Sequence, residues 1–163
     1  MDAQDIKPQI IVLGGFPGTG KSTIVRELRD HFKFPENQIV SSDRMLKQIC
    51  AERMPGFDSA DEVPDDIYNN PKVKLELARR FYSRARALVE EGKPALMHSA
   101  FTSRFGRMSL ALGTVGKPTT GFWLEADYKI LQERLQNRRQ ENLSCATASP
   151  ERLADVFKRN ASI

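Results

Sequence analysis

A glycine-rich stretch near the start of the chain has the residue types and the spacing of a phosphate-binding loop. Four of its residues match the pattern G-x-x-x-x-G-K-[ST]: Gly15, Gly20, Lys21 and Ser22. Glycines let the backbone curl so that successive N–H groups face one concavity, which binds anionic oxygens. The lysine would bridge the terminal phosphates of a nucleotide, and the serine hydroxyl would bind Mg²⁺. The pattern therefore predicts nucleotide binding, but it does not by itself name a reaction.

We predict that the whole loop contacts the nucleotide. Its residues are Gly15, Phe16, Pro17, Gly18, Thr19, Gly20, Lys21, Ser22 and Thr23. Ser22 is the predicted metal ligand, and Lys21 is predicted to act in catalysis as well as in binding. A glycine-rich turn without a ligand is the alternative, and four matched positions in the right context disfavour it.

The loop needs a strand before it and a helix after it, and the sequence provides both. Residues 10–13 form a short β-branched apolar run that suits a buried strand. Ile24, Val25 and Leu28 lie on one face of a helix that we predict over residues 20–32. The N-terminus of this helix adds partial positive charge behind the loop, which favours a bound anion.

The rest of the chain alternates predicted strands with predicted helices. Further strands are expected at residues 38–41, 94–98 and 119–124, and further helices after Asp43, over 71–91, over 104–112, after Asp127 and after Ser149. This alternation predicts an α/β fold. We expect a three-layer sandwich with a short parallel sheet of about four to five strands and P-loop kinase topology.

Apolar residues at helical spacing predict the core of two of these helices. The helix over 71–91, capped by Asn70, should bury Val73, Leu77, Phe81, Ala85 and Leu88, and the helix after Asp127 should bury Ile130, Leu131 and Leu135. Trp123 is expected to pack in the core or on the sheet rather than to stack on a nucleic-acid base.

Ligands of open parallel sheets bind at the carboxyl ends of the strands. The phosphate loop, Asp43 and residues 98–101 should therefore surround one site. Asp43 has two interpretations: it caps the helix that follows, or its carboxylate accepts a hydroxyl proton or holds a Mg²⁺-bound water beside a triphosphate. Arg44 next to it would hold an anionic substrate.

Two polar segments flank this predicted site. Residues 52–70 are acidic and poor in apolar residues, which predicts either a mobile segment that covers the site or a solvated insertion without a role. Arg138 and Arg139 precede another polar stretch, so residues 138–149 are predicted to form a lid that neutralises transition-state charge. A solvated helix end with favourable cations is the alternative for these arginines.

Length and composition favour one soluble domain over residues 1–163. Hydrophobic residues make up 40% and charged residues 28%, which disfavours disorder. The formal net charge of +4 suits a phosphorylated or nucleic-acid substrate but carries little weight. Cys50 and Cys145 form no metal or disulfide pattern, and no signal peptide or membrane-spanning run is present. We expect a cytoplasmic protein without a membrane partner, and the oligomeric state stays open.

Several elements together resemble the small AAA-type P-loop kinases related to phage polynucleotide kinase, zeta toxin and gluconate kinase. They are the phosphate loop, Ser42-Asp43-Arg44 after the second strand, the Phe101 turn after the third, Trp123-Leu124-Glu125-Ala126, and the run from Glu133 to Arg139. The resemblance implies an ATP-dependent kinase with Mg²⁺ that phosphorylates a hydroxyl of a small molecule or a nucleic-acid end. No motif supports the nucleic-acid acceptor specifically.

The resemblance also implies residue roles. Asp43 matches the general base, Arg44 a substrate or structural arginine, and Arg138 the lid arginine. His98 stands where similar kinases typically have aspartate, so it is predicted either to bind substrate or to mark an impaired site. The alternative function is therefore a non-catalytic ATP-binding module of the same fold.

Overall fold

The computed structural model describes residues 2–58, 62–140 and 153–154, without the side chains of residues 105 and 138–140. The strands are β1 (Ile10–Gly15), β2 (Ile39–Ser41), β3 (Ala95–His98) and β4 (Thr119–Leu124). The helices are α1 (Lys21–Phe32), α2 (Ser42–Arg53), α3 (Asp65–Asn69), α4 (Pro71–Glu90), α5 (Arg104–Thr114) and α6 (Tyr128–Gln140). Short 3₁₀ turns cover Ala3–Asp5 and Glu36–Gln38.

The four strands of the described residues form one parallel sheet in the order β2-β3-β1-β4. β1 therefore lies in the interior of the sheet, between β3 and β4. The register places His98 of β3 opposite Leu13 on one side and Ser41 on the other. The predicted parallel α/β fold is confirmed, and the carboxyl ends of β1, β2 and β3 meet at one edge.

Both faces of the sheet are covered by helices because the apolar residues of its strands alternate between two cores. On one face, Ile10 and Val12 pack with Phe81 and Leu88 of α4. On the other face, Leu13 packs in a cluster with Val25 of α1. These layers are the predicted three-layer sandwich.

Helix α4 begins and ends where its sequence predicts. The Asn70 side chain accepts a 2.9 Å hydrogen bond from the Lys72 amide, and Pro71 occupies the first turn. Gly92, with φ of 77°, follows the last turn in the left-handed region. Four of the five predicted core residues are buried, and Leu77 is half-buried.

Two expectations about burial need revision. The prediction that Ile130 is buried is wrong: 40% of it is exposed, whereas Leu131 and Leu135 are buried. Trp123 packs on the sheet, as expected, but 41% of it remains exposed because β4 forms an edge of the described sheet. Its ring covers Gly14, where an added Cβ would lie 2.5 Å from Trp123 Cε3.

The described part of the acidic segment 52–70 lies against α2 and α4. Helix α2 continues to Arg53, and α3 begins at Asp65. Val63 is buried in a cluster with Ile49 and Val73. Whether this segment covers the site during function stays a prediction.

Candidate functional site

The phosphate loop connects β1 to α1 with a backbone that only glycine adopts easily. Gly15 has a φ of 146°, and a Cβ on it would lie 2.5 Å from the Leu124 carbonyl oxygen of the neighbouring strand. Gly18 has a φ of 86° and packs against Leu131 of α6. The Thr19 hydroxyl donates a 2.8 Å hydrogen bond to the Phe16 carbonyl. The loop is therefore curled and braced from both sides.

The first turn of α1 has the properties of an anion site. Its N-cap is Gly20, which offers no side-chain cap, and no acidic residue lies in the first turn. The first N–H groups of the helix thus lack a side-chain acceptor, and the helix dipole is uncompensated there. The Ser22 and Thr23 side chains are exposed at this end. A phosphate group would supply the missing acceptors.

Lys21 reaches back over the loop. Its Nζ donates hydrogen bonds of 2.8 Å to the Gly15 carbonyl and 2.9 Å to the Phe16 carbonyl. The ammonium group therefore lies over the concavity of the loop. This donor set, a lysine ammonium with a serine hydroxyl beside it, fits the phosphates and Mg²⁺ of a bound nucleotide.

Asp43 lies in the first turn of α2, next to the sheet edge. The cap of α2 is Ser41, whose hydroxyl accepts a 3.3 Å hydrogen bond from the Arg44 amide. The interpretation of Asp43 as the helix cap is therefore wrong. Its half-buried side chain lies near enough to His98 to act on that residue's charge.

His98 occupies the carboxyl end of β3, on the sheet face that Leu96 shares with α1. Burial lowers the pKa of His98 below its ordinary value; Asp43 opposes this shift, and Lys21 and Arg44 reinforce it. The imidazole is therefore neutral at physiological pH. Lys21, Asp43 and His98 are brought together from the starts of two helices and the end of a strand.

A described ion pair involves one of the two other predicted arginines. Arg44 forms an ion pair with Glu36, with about half of its side chain exposed. Arg138 lies in the last turn of α6, and its side chain is outside the described residues, as is the segment 141–149. The roles of both arginines, and the lid, stay predictions.

Sequence reasoning named Arg134 only within the run from Glu133 to Arg139 and gave it no role in the site. Its Nη1 donates a 3.2 Å hydrogen bond to the Gly18 carbonyl, so α6 is tied to the phosphate loop. Leu131 and Leu135 of the same helix pack in a cluster with Phe16. The spacing of Arg134 four residues before Arg138 was the available signal, since it places both on one helix face.

A pocket of about 210 Å³ opens beside the loop, on the sheet face covered by α4. It is lined by residues from the start of α2, from α4, from α5 and from the turn after β3: Ser42, Lys74, Leu77, Ala78, Phe81, Tyr82, Ser99, Ala100, Phe101, Thr102, Ser103, Gly106 and Ser109. The Gly15 amide donates a 3.3 Å hydrogen bond to the Ala100 carbonyl, which joins the pocket wall to the loop. Lys74 and Tyr82 were not predicted as site residues, because no local motif marks them.

Comparisons with known proteins agree with this geometry. The family described as AAA domain matches residues 10–161. The chain belongs to this family. The predicted family, a small AAA-type P-loop kinase, is thereby confirmed.

Two cytidylate kinases resemble this chain in sequence. The protein of Methanopyrus kandleri is 28% identical over 131 residues, which cover 79% of this chain and 62% of that relative. The protein of Methanothermobacter thermautotrophicus is 29% identical over 101 residues, which cover 62% of this chain and 56% of that relative. The chain thus spans less than two thirds of the curated relatives it matches.

Solved structures resemble this chain in fold. A Chloroflexus aurantiacus protein proposed to be a kinase has a TM-score of 0.66 at 21% identity, covering 93% of this chain and 79% of the other. A gluconokinase of Sinorhizobium meliloti has a TM-score of 0.55 at 18% identity, covering 93% and 74%. A chain of the Pnkp1/Rnl/Hen1 RNA repair complex has a TM-score of 0.67 at 13% identity, covering 96% and 45%. No helix in the described part of the chain is long and apolar enough to cross a membrane.

Proposed function

We propose that this chain is an ATP-dependent phosphotransferase that moves the γ-phosphoryl group to a hydroxyl of its acceptor. The observation that carries the proposal is the juxtaposition of a phosphate loop with a largely apolar pocket that also carries hydroxyl groups, at one sheet edge. Ser42 lines that pocket, and the adjacent Asp43 acts electrostatically on the same imidazole as Lys21. In this proposal the phosphate loop is the donor half of the site and the pocket is its acceptor half, and the two meet at Asp43.

Each residue has a definable role in this proposal. The loop amides and the start of α1 hold the phosphates, and Lys21 offsets negative charge on the transferred group. Ser22 provides a hydroxyl for Mg²⁺, which would neutralise phosphate charge when bound. Asp43 takes the proton of the acceptor hydroxyl as its oxygen forms the new bond to phosphorus and the bond to the ADP leaving group breaks.

The remaining predicted residues have supporting roles. Neutral His98 offers a ring nitrogen to substrate from the end of β3. Arg44 would exchange Glu36 for an anionic group of the acceptor, and Arg138 would close over the phosphates from the end of α6. Arg134 positions the loop through the Gly18 carbonyl.

The phosphate group of a nucleotide is the second class of phosphoryl acceptor to test. It is favoured by the two cytidylate kinases among the relatives, whose names state a nucleotide acceptor. A non-catalytic ATP-binding module is the third candidate, and it is motivated by His98 in the place of an aspartate. The three candidate functions predict a phosphorylated hydroxyl, a phosphorylated nucleotide and no phosphorylated product, respectively. One assay over a set of acceptors therefore separates them.

The test measures ADP release from ATP and Mg²⁺ against sugars, sugar acids, nucleosides, nucleoside monophosphates and 5′-hydroxyl oligonucleotides. Asp43→Asn should lower turnover of the accepted substrate by about 10²–10⁴-fold with little change in ATP affinity. Asp30→Asn, on the exposed side of α1, is the matched control and should retain turnover. Full turnover in Asp43→Asn would refute the base assignment, and ATP binding without any product would support the non-catalytic module.

We also propose a cytoplasmic location. Cys50 is a free, buried thiol, and burial raises its pKa, so it is an inert core residue of the kind kept reduced inside cells. Fractionation of the source cells with an antibody to the chain would test this location.

A further inference from the structure

The pocket beside the phosphate loop has charge of one sign only among its described lining residues. Among its described lining residues Lys74 alone is charged, and the others are apolar or carry hydroxyl groups. Lys74 extends from α4 with its Nζ 5.6 Å from the centre of the Tyr68 ring. An unbalanced cation in a pocket wall favours an anionic ligand.

Two arginines near this part of α4, Arg80 and Arg53, are neutralised by carboxylates. Arg80 of α4 pairs with Glu52 at 2.7 Å and with Glu76 at 2.5 Å, and Arg53 also pairs with Glu76. No carboxylate in the described part of the chain forms an ion pair with Lys74. The ammonium group of Lys74 lies over the face of the Tyr68 ring, and this cation–π contact does not cancel its positive charge.

The opposite wall is aromatic and lies against the phosphate loop. Phe101 has a φ of 46°, which is uncommon for a bulky residue and implies that its surroundings hold it. Its ring lies 6.1 Å from that of Phe81, and its Cδ2 lies 3.5 Å from a Cβ built on Gly14. The two rings are tilted by 45° to each other and are only 3% (Phe81) and 7% (Phe101) exposed, so a few of their apolar ring atoms line the pocket next to the loop.

The size of the pocket limits what enters it. Its volume of about 210 Å³ is below the range of roughly 300–1,000 Å³ that is typical of sites for drug-sized ligands. A small metabolite fits, or the terminal unit of a larger molecule. The serine and threonine hydroxyls of the turn after β3 can bond its polar groups in either direction.

We infer that the phosphoryl acceptor is a small organic anion whose carboxylate or phosphate group is recognised by Lys74. Its apolar part contacts the few exposed ring atoms of Phe81 and Phe101, and its accepting group faces the phosphate loop. Lys74 is then a specificity-determining residue. This inference rests on the proposed kinase function, because it identifies the pocket as the acceptor site.

The test compares matched anionic and neutral probes by calorimetry in the presence of a non-hydrolysable ATP analogue. The pairs are gluconate with glucose, for a carboxylate, and cytidine 5′-monophosphate with cytidine, for a phosphate. We expect one anion to bind at least about tenfold more tightly than its neutral partner. The pair that shows the preference identifies the anionic group.

Variants assign the preference to one side chain. Lys74→Met keeps the apolar stem and should reduce the preference by about tenfold or more, whereas Lys74→Arg should retain it. Lys72→Met, on the same helix outside the pocket, is the matched control and should change nothing. Equal binding of both partners, no binding of either anion, or an unchanged preference in Lys74→Met would overturn the inference. Lys74-dependent anion binding without phosphoryl transfer would instead refute the kinase proposal and leave the pocket assignment standing.

Discussion

Replacing Gly14 with alanine probes how tightly the edge of the sheet supports the phosphate loop. Gly14 lies in β1, and the ring of Trp123 from β4 covers it. An added Cβ would lie 2.5 Å from Trp123 Cε3 and 2.7 Å from Cζ3, closer than van der Waals contact allows. The indole must therefore move away, and it would lose its edge contact with Phe16 of the loop, whose ring centre is 6.3 Å distant.

The size of the effect follows from two opposing contributions. Overpacking a fitted site costs about 1–3 kcal/mol. Alanine in place of glycine within a strand recovers about 0.5–1 kcal/mol, because glycine loses more backbone entropy on folding. We expect Gly14→Ala to lower the free energy of unfolding by about 0–2.5 kcal/mol. Gly121→Ala, in neighbouring β4 with no atom within 4 Å of its Cβ, should be neutral or stabilising.

Urea unfolding of four proteins measures this contact: wild type, Gly14→Ala, Trp123→Leu and the double variant. Removing the indole removes the clash, so the cost of Gly14→Ala should vanish in the Trp123→Leu background, with a coupling of about 1–3 kcal/mol. Unchanged slopes of the unfolding curves would show that midpoints report stability. An equal cost of Gly14→Ala in both backgrounds, or a stabilised single variant, would refute the steric argument.

Three further predictions concern folding stability. Burial lowers the pKa of His98 in the folded protein, so the unfolded chain takes up a proton on this residue first as the pH falls through about 6.5. The free energy of unfolding should therefore decline toward pH 5. Chemical denaturation at a series of pH values should show a shallower decline for His98→Gln than for the wild type. Leu96→Ala should cost about 2–5 kcal/mol by urea unfolding, because this residue is fully buried in β3; a loss below 1 kcal/mol would contradict its place in the core. Asn70→Ala should cost about 1 kcal/mol through the lost cap of α4, whereas Asn70→Asp should retain most of the stability in the same assay.

The elements that local chemistry specifies could be predicted from the sequence. Asn70 and Pro71 start α4 because a side-chain acceptor and a fixed φ are favourable at a helix N-terminus. The strand over Thr119–Leu124 has the predicted bounds because turn residues and an apolar run define it locally. Such features depend on neighbours in the chain, which the sequence displays directly.

Errors occurred where distant packing decides between local alternatives. Asp43 and Ser41 are both suitable caps, and only the path of the chain out of β2 gives the cap to Ser41. Ile130 has the spacing of a core residue, but α6 turns Leu131 and Leu135 toward the loop instead. A helical pattern predicts which residues form the apolar face only to within about one position. The element that packs against the helix decides which of them are buried.

The sequence by itself determined the phosphate loop, which we propose as the donor half of the site. Gly15, Gly20, Lys21 and Ser22 specify a phosphate loop because its chemistry depends on the backbone freedom and side chains of consecutive residues. Only the tertiary structure decided the pocket that we propose as the acceptor site. Its walls come from Lys74 and from the turn around Phe101, which are far apart in the chain and meet because α4 packs across the sheet. A pocket built by such packing has no local sequence pattern, since each wall residue is chosen by its position in space.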